Sequence, residues 1–192
     1  MASLPTDVQK ALRAQVSKFV RNDFEKKVKQ DFEVIKKEMI REFLSHPVTQ
    51  EIKSGPSGSN TSGTLRGVVN LFAFIGFEQG DDPIAPILQI FQSIQISFGG
   101  DIPMGNKFNI NMPTPQDIFA VTPMPWASGR SWAQGIERGI SGIGYTLKRK
   151  SPKSRSGEAI QSSVKVRGGS FKNTTYISAL INKYSKRFSQ LK

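Results

Sequence analysis

The feature that most constrains the fold of this chain is an apolar periodicity over residues 6–44. Apolar residues recur there mostly at steps of three and four, which predicts one stripe along an amphipathic helix. The stripe comprises Val8, Leu12, Val16, Phe19, Val28, Phe32, Ile35, Met39 and Phe43. Such a helix, closed by Pro47, is about 58 Å long. This length exceeds the diameter expected of a compact domain of this size. The helix is therefore expected to bend or to project towards a neighbouring chain, or alternatively to lie along its own domain.

The formal charge of +12 is concentrated in the last third of the chain. Residues 1–50 carry 10 basic and 7 acidic side chains, 51–129 carry 3 and 6, and 130–192 carry 14 and 2. A localised basic surface indicates DNA, RNA or an acidic protein as partner, and a solvated basic face is the alternative. The candidate DNA- or partner-facing basic loop comprises Lys148, Arg149, Lys150, Lys153 and Arg155.

Between these two regions the sequence predicts a small sheet and several loops. The first elements are a flexible loop at 54–64, a buried strand at 70–77 and a short helix or strand entry at 84–91. A β-hairpin or meander from 94–98 and 107–112 and an extended proline-rich connection at 113–125 follow. The last elements are a strand at 159–166 and a basic amphipathic helix at 175–191. The predicted fold class is α+β, with a long N-terminal amphipathic helix, a small mostly antiparallel sheet and a C-terminal helix. Residues 1–50 are expected to form a helical arm, and 51–192 an α+β domain with flexible loops at 54–64 and 148–157.

The residue types argue against an enzyme and against a bound cofactor or metal ion. The chain has no cysteine and one histidine, His46, which leaves neither a zinc ligand set nor a Ser-His-acid triad. His46 is expected to cap the end of the first helix. The SGPSGSNTSGT loop imitates a phosphate loop but has Thr64 where the lysine belongs. No apolar stretch approaches the roughly 20 residues that span a bilayer, so no membrane contact is expected.

The segment around the two tryptophans combines a helical stripe with many glycines. Trp132, Ile136, Ile140 and Ile143 follow helical steps, and the glycines between them indicate close backbone packing or ordering by a partner. Glu137 lies near two arginines, which favours an internal or intersubunit ion pair. The candidate subunit interface comprises Trp126, Arg130, Trp132, Glu137 and Arg138, with core packing of the tryptophans as the alternative.

The order of these features resembles the tailed-phage neck and tail-completion proteins of the HK97 gp10-like kind. Three segments carry the resemblance: SGTLRG at 62–67, WAQGIERGI at 132–140 and FKNTTYISAL at 171–180. The family's motif residues match Gly63, Thr64, Leu65, Arg66, Trp132, Ala133, Glu137 and Gly139.

The resemblance implies a structural virion protein of the neck or tail junction, assembled in the host cytoplasm. Its implied partners are copies of itself in a six- or twelve-fold ring, the portal or connector, tail terminator or tube proteins, and genomic DNA in the lumen. The alternative from the charge pattern is a basic nucleic-acid-binding protein that uses the C-terminal third.

Overall fold

The computed structural model describes residues 6–66, 70–102, 105–139, 146–148, 159–161 and 170–191. Its helices are α1 Thr6–Ser45, α2 Pro47–Lys53, α3 Leu71–Ile75, α4 Ala85–Gln92, α5 Pro115–Ala120, α6 Trp132–Arg138 and α7 Ile177–Phe188. Its strands are β1 Leu65–Arg66, β2 Ile96–Ile102, β3 Gly105–Ile110, β4 Pro123–Met124, β5 Ala127–Ser131, β6 Thr146–Lys148, β7 Ala159–Gln161 and β8 Ser170–Phe171. Within these ranges the strands form the antiparallel pairs β1-β8, β2-β3, β4-β5 and β6-β7. The α+β class with long first and closing helices is thereby confirmed.

The long first helix is confirmed as α1, but the prediction of one apolar stripe along it is wrong. In its carboxyl-terminal half Val28 and Phe32 are buried, as are Met39 and Phe43, whereas Val8 is 39% exposed. The reason is the step of nine residues from Phe19 to Val28. Nine residues make about 2.5 helical turns, so the apolar positions on either side of this step fall on opposite faces.

The carboxyl-terminal half of α1 is built into the core of the molecule. Phe32 packs on Phe188 of α7 with ring centroids 5.2 Å apart, and Phe43 meets Phe91 of α4 edge to face at 5.1 Å. The same hydrophobic cluster continues past residue 50 into α2 and α3. From Val28 onward, the arm predicted over 1–50 therefore shares its core with the region that follows.

The strand predicted at 70–77 is wrong, because these residues form the short helix α3. The side chain of Asn70 accepts a hydrogen bond from the backbone N–H of Ala73, which caps the helix start. Gly76 ends the helix in the left-handed region, with φ of 99°. The periodicity of a short apolar run does not distinguish a buried strand from a buried helix. Here the Asn70 cap favours the helix.

The extended connection predicted at 113–125 is also wrong, over residues 115–120. Residues 115–120 form α5, where Thr114 and Asp117 make a reciprocal capping box. Pro115 occupies the first turn, where a helix needs no N–H donor and the fixed φ of proline favours helical backbone. Pro115 lies at the beginning of a helix, whereas the prediction from the sequence considered proline only as a residue that interrupts regular structure.

The remaining elements follow their predictions where the structure describes them. The helix alternative at 84–91 is confirmed as α4, and the hairpin is confirmed as β2 and β3. The predicted stripe of the closing helix is buried throughout: Tyr176, Ile177, Leu180, Ile181, Tyr184 and Phe188. Strand β7 covers the start of the strand predicted at 159–166, whose remaining residues lie outside the described ranges.

Candidate functional site

The three segments that carry the sequence motifs meet at the amino end of α7. Strand β1, from the first motif, pairs with β8, which leads into α7. Just after β8 the N–H of Lys172 donates to the carbonyl of Thr64 at 2.7 Å. The N–H of Thr174 donates to the carbonyl of Ile136, in the second motif, at 3.0 Å. Segments separated by about 40 to 110 residues in the chain thus form one junction, which we call the motif junction.

Glu137 fixes the second motif to the start of α7. Its carboxylate accepts hydrogen bonds from the backbone N–H of Ser178 at 2.7 Å and from the Ser178 hydroxyl at 2.6 Å. A carboxylate is stabilising at a helix amino end because the first N–H groups lack partners within the helix. Gly139 ends α6 with φ of 97°, and a Cβ there would lie 3.4 Å from Oδ1 of Asn173. The geometry explains why the motif residues Glu137 and Gly139 suit this place.

A buried polar pair lies beside the motif junction. The hydroxyl groups of Tyr176 and Thr49 are 2.7 Å apart, and burial raises the pKa of Tyr176. The ring of His46 packs 4.9 Å from the ring of Tyr176, measured between centroids. This pair joins α2 to the residue that precedes α7.

The prediction that His46 caps the end of α1 is wrong. His46 has extended backbone, with φ of −62° and ψ of 134°, and its Nδ1 accepts from the N–H of Val48 at the start of α2. The reason is that Pro47 begins a second helix immediately, so the nearest unpaired backbone groups are donors. Burial lowers the pKa of His46, opposed by a backbone hydrogen bond to Thr175 and by the charge of Glu42.

Both tryptophans of the predicted subunit interface pack inside their own chain. Trp132 is 1% exposed, edge to face with Phe77 at 5.9 Å and tilted against Tyr176 at 6.4 Å. Trp126 is 8% exposed, and its indole N–H donates to the carbonyl of Ile75 at 2.6 Å. These contacts are the ones expected if both tryptophans pack in the core, which was the alternative to a subunit interface.

The other predicted site residues lie partly at the surface and partly outside the described residues. Arg130 and Arg138 are exposed on either side of the half-buried Glu137. Contact of any of the five predicted interface residues with a second subunit stays a prediction. In the predicted basic loop, the backbone of Lys148 ends β6. Its side chain, and Arg149, Lys150, Lys153 and Arg155, lie outside the described residues.

Two cations of α7 are paired with carboxylates of α1. Lys183 Nζ lies 2.6 Å from Glu42, and Arg187 lies 2.6 Å from Glu38. The Tyr184 hydroxyl also donates to Glu42, at 2.8 Å. The hydrogen bond from Lys183 holds the pKa of Glu42 below its ordinary value, while burial, followed by the bond to Glu42, raises the pKa of Tyr184 to about 12. Part of the positive charge of the last third is therefore neutralised within the chain.

The loop that imitates a phosphate loop is organised around a buried carboxylate. Glu51 is fully buried and accepts hydrogen bonds from the N–H groups of Leu71, at 2.6 Å, and Ser62, at 2.8 Å. The Asn70 amide donates to the carbonyl of Gly58 at 2.7 Å. The Glu51 carboxylate is already the acceptor for the N–H groups of Ser62 and Leu71. The geometry therefore supports a structural role for the loop. The flexibility expected of residues 54–64 stays a prediction.

Several acidic side chains of the described residues serve as helix caps or ion-pair partners. Besides Glu51 and Glu137, Asp82 accepts from the N–H groups of Ile84, which precedes α4, and Ala85, which begins it, and Asp117 belongs to the capping box of α5. No group of three potential metal ligands occurs among the residues that the structure describes. Within the same residues, no helix is both long enough and apolar enough to cross a membrane.

Comparison of the chain with protein-family models, with curated proteins and with solved structures finds no match.

Proposed function

We propose that this chain is a structural virion protein of the neck or tail junction of a tailed phage. Copies form a ring that joins the head connector to the tail, and DNA passes through its centre. The observation that supports the proposal is the motif junction, where the three segments that carry the family resemblance meet. Glu137 and Thr64 make hydrogen bonds there that join distant segments, and Gly139 has the positive φ that ends α6. Motif residues in such positions suit a protein whose role depends on shape.

The reach of α1 gives the proposal a second support. The helix begins 22 residues before Val28, the first buried side chain among the described residues of α1. At 1.5 Å per residue this amino-terminal part is about 33 Å long. A subunit of a ring needs an element that extends to its neighbour, and a continuous helix of 40 residues is long enough to supply one.

The charge distribution supports contact with a polyanion. By sequence, residues 130–176 carry ten basic and two acidic side chains, and of the four cations that follow, Lys183 and Arg187 are paired with carboxylates of α1. Clustered basic residues attract a DNA backbone without reading its sequence. On a neighbouring acidic ring, the same charges would accelerate assembly and fix its register.

The test of the proposal is the assembly state of the purified chain. Mass photometry and negative-stain electron microscopy are expected to show closed rings whose mass is a multiple of 21.2 kDa. A species that stays monomeric at every concentration and also fails to bind purified neck proteins contradicts the proposal. Rings that form equally well after nuclease treatment would show that DNA is not needed as a template.

The alternative function, a stand-alone nucleic-acid-binding protein, is favoured by the 14 basic and 2 acidic side chains of residues 130–192. It requires tight, strongly salt-dependent DNA binding by a monomer. The variant for this test changes Lys148, Arg149, Lys150, Lys153 and Arg155 to Gln. Its matched control changes five exposed cations of α1 to Gln: Lys26, Lys27, Lys29, Lys37 and Arg41. Equal loss of affinity in both variants, or no salt dependence, contradicts the alternative.

A further inference from the structure

The hairpin of β2 and β3 is an amphipathic sheet of two strands. Four apolar side chains lie half-buried on one face: Ile96, Phe98, Phe108 and Ile110. Five polar side chains are exposed on the other face: Gln95, Ser97, Lys107, Asn109 and Asn111. A two-stranded hairpin is only marginally stable by itself, so pairing with a further strand would stabilise this one.

The backbone of β3 directs alternate N–H and C=O groups away from β2. The N–H of Asn111 donates to the carbonyl of Gln95, which makes Ile96 and Ile110 a pair that exchanges no backbone hydrogen bonds. By the alternation of an antiparallel ladder, three residues of β3 therefore direct these groups outward: Asn106, Phe108 and Ile110. We call this side of the strand the β3 edge. Within the described residues, β3 pairs with β2 alone.

Aromatic side chains that are partly exposed lie beside the β3 edge. Phe108 meets Phe24 of α1 with ring centroids 6.2 Å apart, and Phe24 is 36% exposed. A strand that joined the edge would place alternate side chains beside these rings and remove them from water. The edge therefore offers main-chain hydrogen bonds together with an apolar surface, which are the two contributions by which a strand is bound.

We propose that the β3 edge pairs with strand β2 of a second copy of this chain, head to tail around the ring. The inference rests on the ring proposed above and names a contact that closes it. Because two different edges meet, each copy can contact one neighbour on either side, as a closed ring requires. Copies related by rotation about an axis along the strands bring β3 antiparallel to the next β2, since the two strands are antiparallel within one chain.

The side-chain pattern of β2 suits the β3 edge. Apolar residues of the two strands share one face, as in the cross-strand pair of Phe98 and Phe108, so a neighbour's β2 would continue both faces of the sheet. The charged residue of β2 is Asp101 and that of β3 is Lys107, so this pairing brings no like charges together. Antiparallel pairing of two β3 edges would place two Lys107 side chains on one face, which disfavours it.

The first test removes a hydrogen-bond donor from the β3 edge. Asn106→Pro deletes an N–H that points away from β2, so the ladder within the chain keeps its bonds. Asn106→Ala is the matched control, because it removes the same side chain and keeps the N–H. Analytical ultracentrifugation is expected to show self-association weakened about tenfold or more by Asn106→Pro and little changed by Asn106→Ala. Equal association of the two variants overturns the β3 edge as an interface.

Cysteine cross-linking identifies which edges meet and does not depend on the proline variant, since the sequence contains no cysteine. Ser97→Cys in β2 and Asn109→Cys in β3 place thiols at exposed positions that lie at the same level of the hairpin. A short bis-maleimide linker is expected to join the two single variants when they are co-expressed, and to join neither variant to itself. Co-expression of Asn109→Cys with Ser45→Cys, an exposed position at the end of α1, is the control.

The outcomes separate this inference from the proposed function. Cross-links confined to the mixture of Ser97→Cys with Asn109→Cys support the pairing of β3 with a neighbour's β2. Dimers of Asn109→Cys alone overturn the head-to-tail arrangement. Rings in which the mixture cross-links no more than the control overturn the strand pairing and leave the ring proposal standing. A wild-type chain that is monomeric at every concentration overturns both.

Discussion

The carboxylate of Glu137 accepts two hydrogen bonds from Ser178, 41 residues later in the chain. One comes from the backbone N–H and one from the side-chain hydroxyl, so a residue of α6 supplies the cap at the start of α7. The N-cap residue itself, Tyr176, makes no capping hydrogen bond through its side chain. The start of the closing helix therefore depends on a residue that is remote in sequence.

Removal of this remote cap is expected to destabilise the fold. Glu137→Ala should lower the free energy of unfolding by about 1 to 2 kcal/mol, because the start of α7 loses its acceptor. Urea denaturation checks the change. Arg138→Ala, at the exposed neighbouring position, is the control and should stay within about 0.5 kcal/mol. Equal losses in the two variants would count against the capping role.

Trp132 offers a test of core packing against subunit contact. Trp132→Ala is expected to lower the free energy of unfolding by about 3 to 5 kcal/mol, because the side chain is 1% exposed. The measurement is made at protein concentrations where the chain is monomeric. A residue that only anchored a second subunit would leave monomer stability unchanged and weaken assembly alone.

The lowered pKa of His46 predicts that the fold loses stability at mildly acidic pH. Burial lowers its pKa below the ordinary value of 6.5, so the fold favours the neutral ring. Its contribution is complete above pH 6.5 and is lost as pH falls from there through the folded pKa, since the unfolded chain then binds the proton more readily. Melting temperatures between pH 8 and pH 5 check this. His46→Asn keeps a capping side chain without a titrating ring, so its melting temperature should change less with pH. Identical pH profiles would contradict the prediction.

The lowered pKa of Glu42 predicts a further and smaller loss of stability, at a more acidic pH than that of His46. Its pKa is held below the ordinary value of 4.5, first by the hydrogen bond from Lys183, so its contribution is present above pH 4.5 and lost as pH falls through the folded pKa. Because the Glu42 side chain is 38% exposed, Glu42→Gln should cost less than about 1 kcal/mol, and less still in high salt. Glu33→Gln, at an exposed position of the same helix, is the control. A cost that does not change with salt would contradict an ion-pair origin.

Long periodic segments could be predicted from the sequence, whereas two short segments, at 70–77 and 113–125, were predicted wrongly. Helix α7 follows directly from its spacing, because only one face of a helix with that pattern can enter a core. For 70–77 and 113–125 the outcome depends on the caps of Asn70 and Thr114, and each cap is a choice between local hydrogen bonds. Weak local preferences of this kind are overruled or reinforced by packing.

The motif segments could be found in the sequence, but their relationship could not. The spacing of residues indicates neighbours along one helix or strand, and it contains no information on contacts such as that between Glu137 and Ser178. Buried roles were missed for the same reason. Glu51 is one charged residue among many in the sequence, and only the fold surrounds it with the N–H groups of Ser62 and Leu71.

By itself, the sequence determined the α+β class, the long first helix, the amphipathic closing helix and the concentration of positive charge in the last third. These properties depend on local periodicity and on composition, which act without knowledge of distant contacts. The tertiary structure decided that the carboxyl-terminal half of α1, from Val28 on, enters the core, that the tryptophans pack inside, and that three distant segments meet at α7. These outcomes depend on which surfaces exclude water together, and that is a property of the folded chain as a whole.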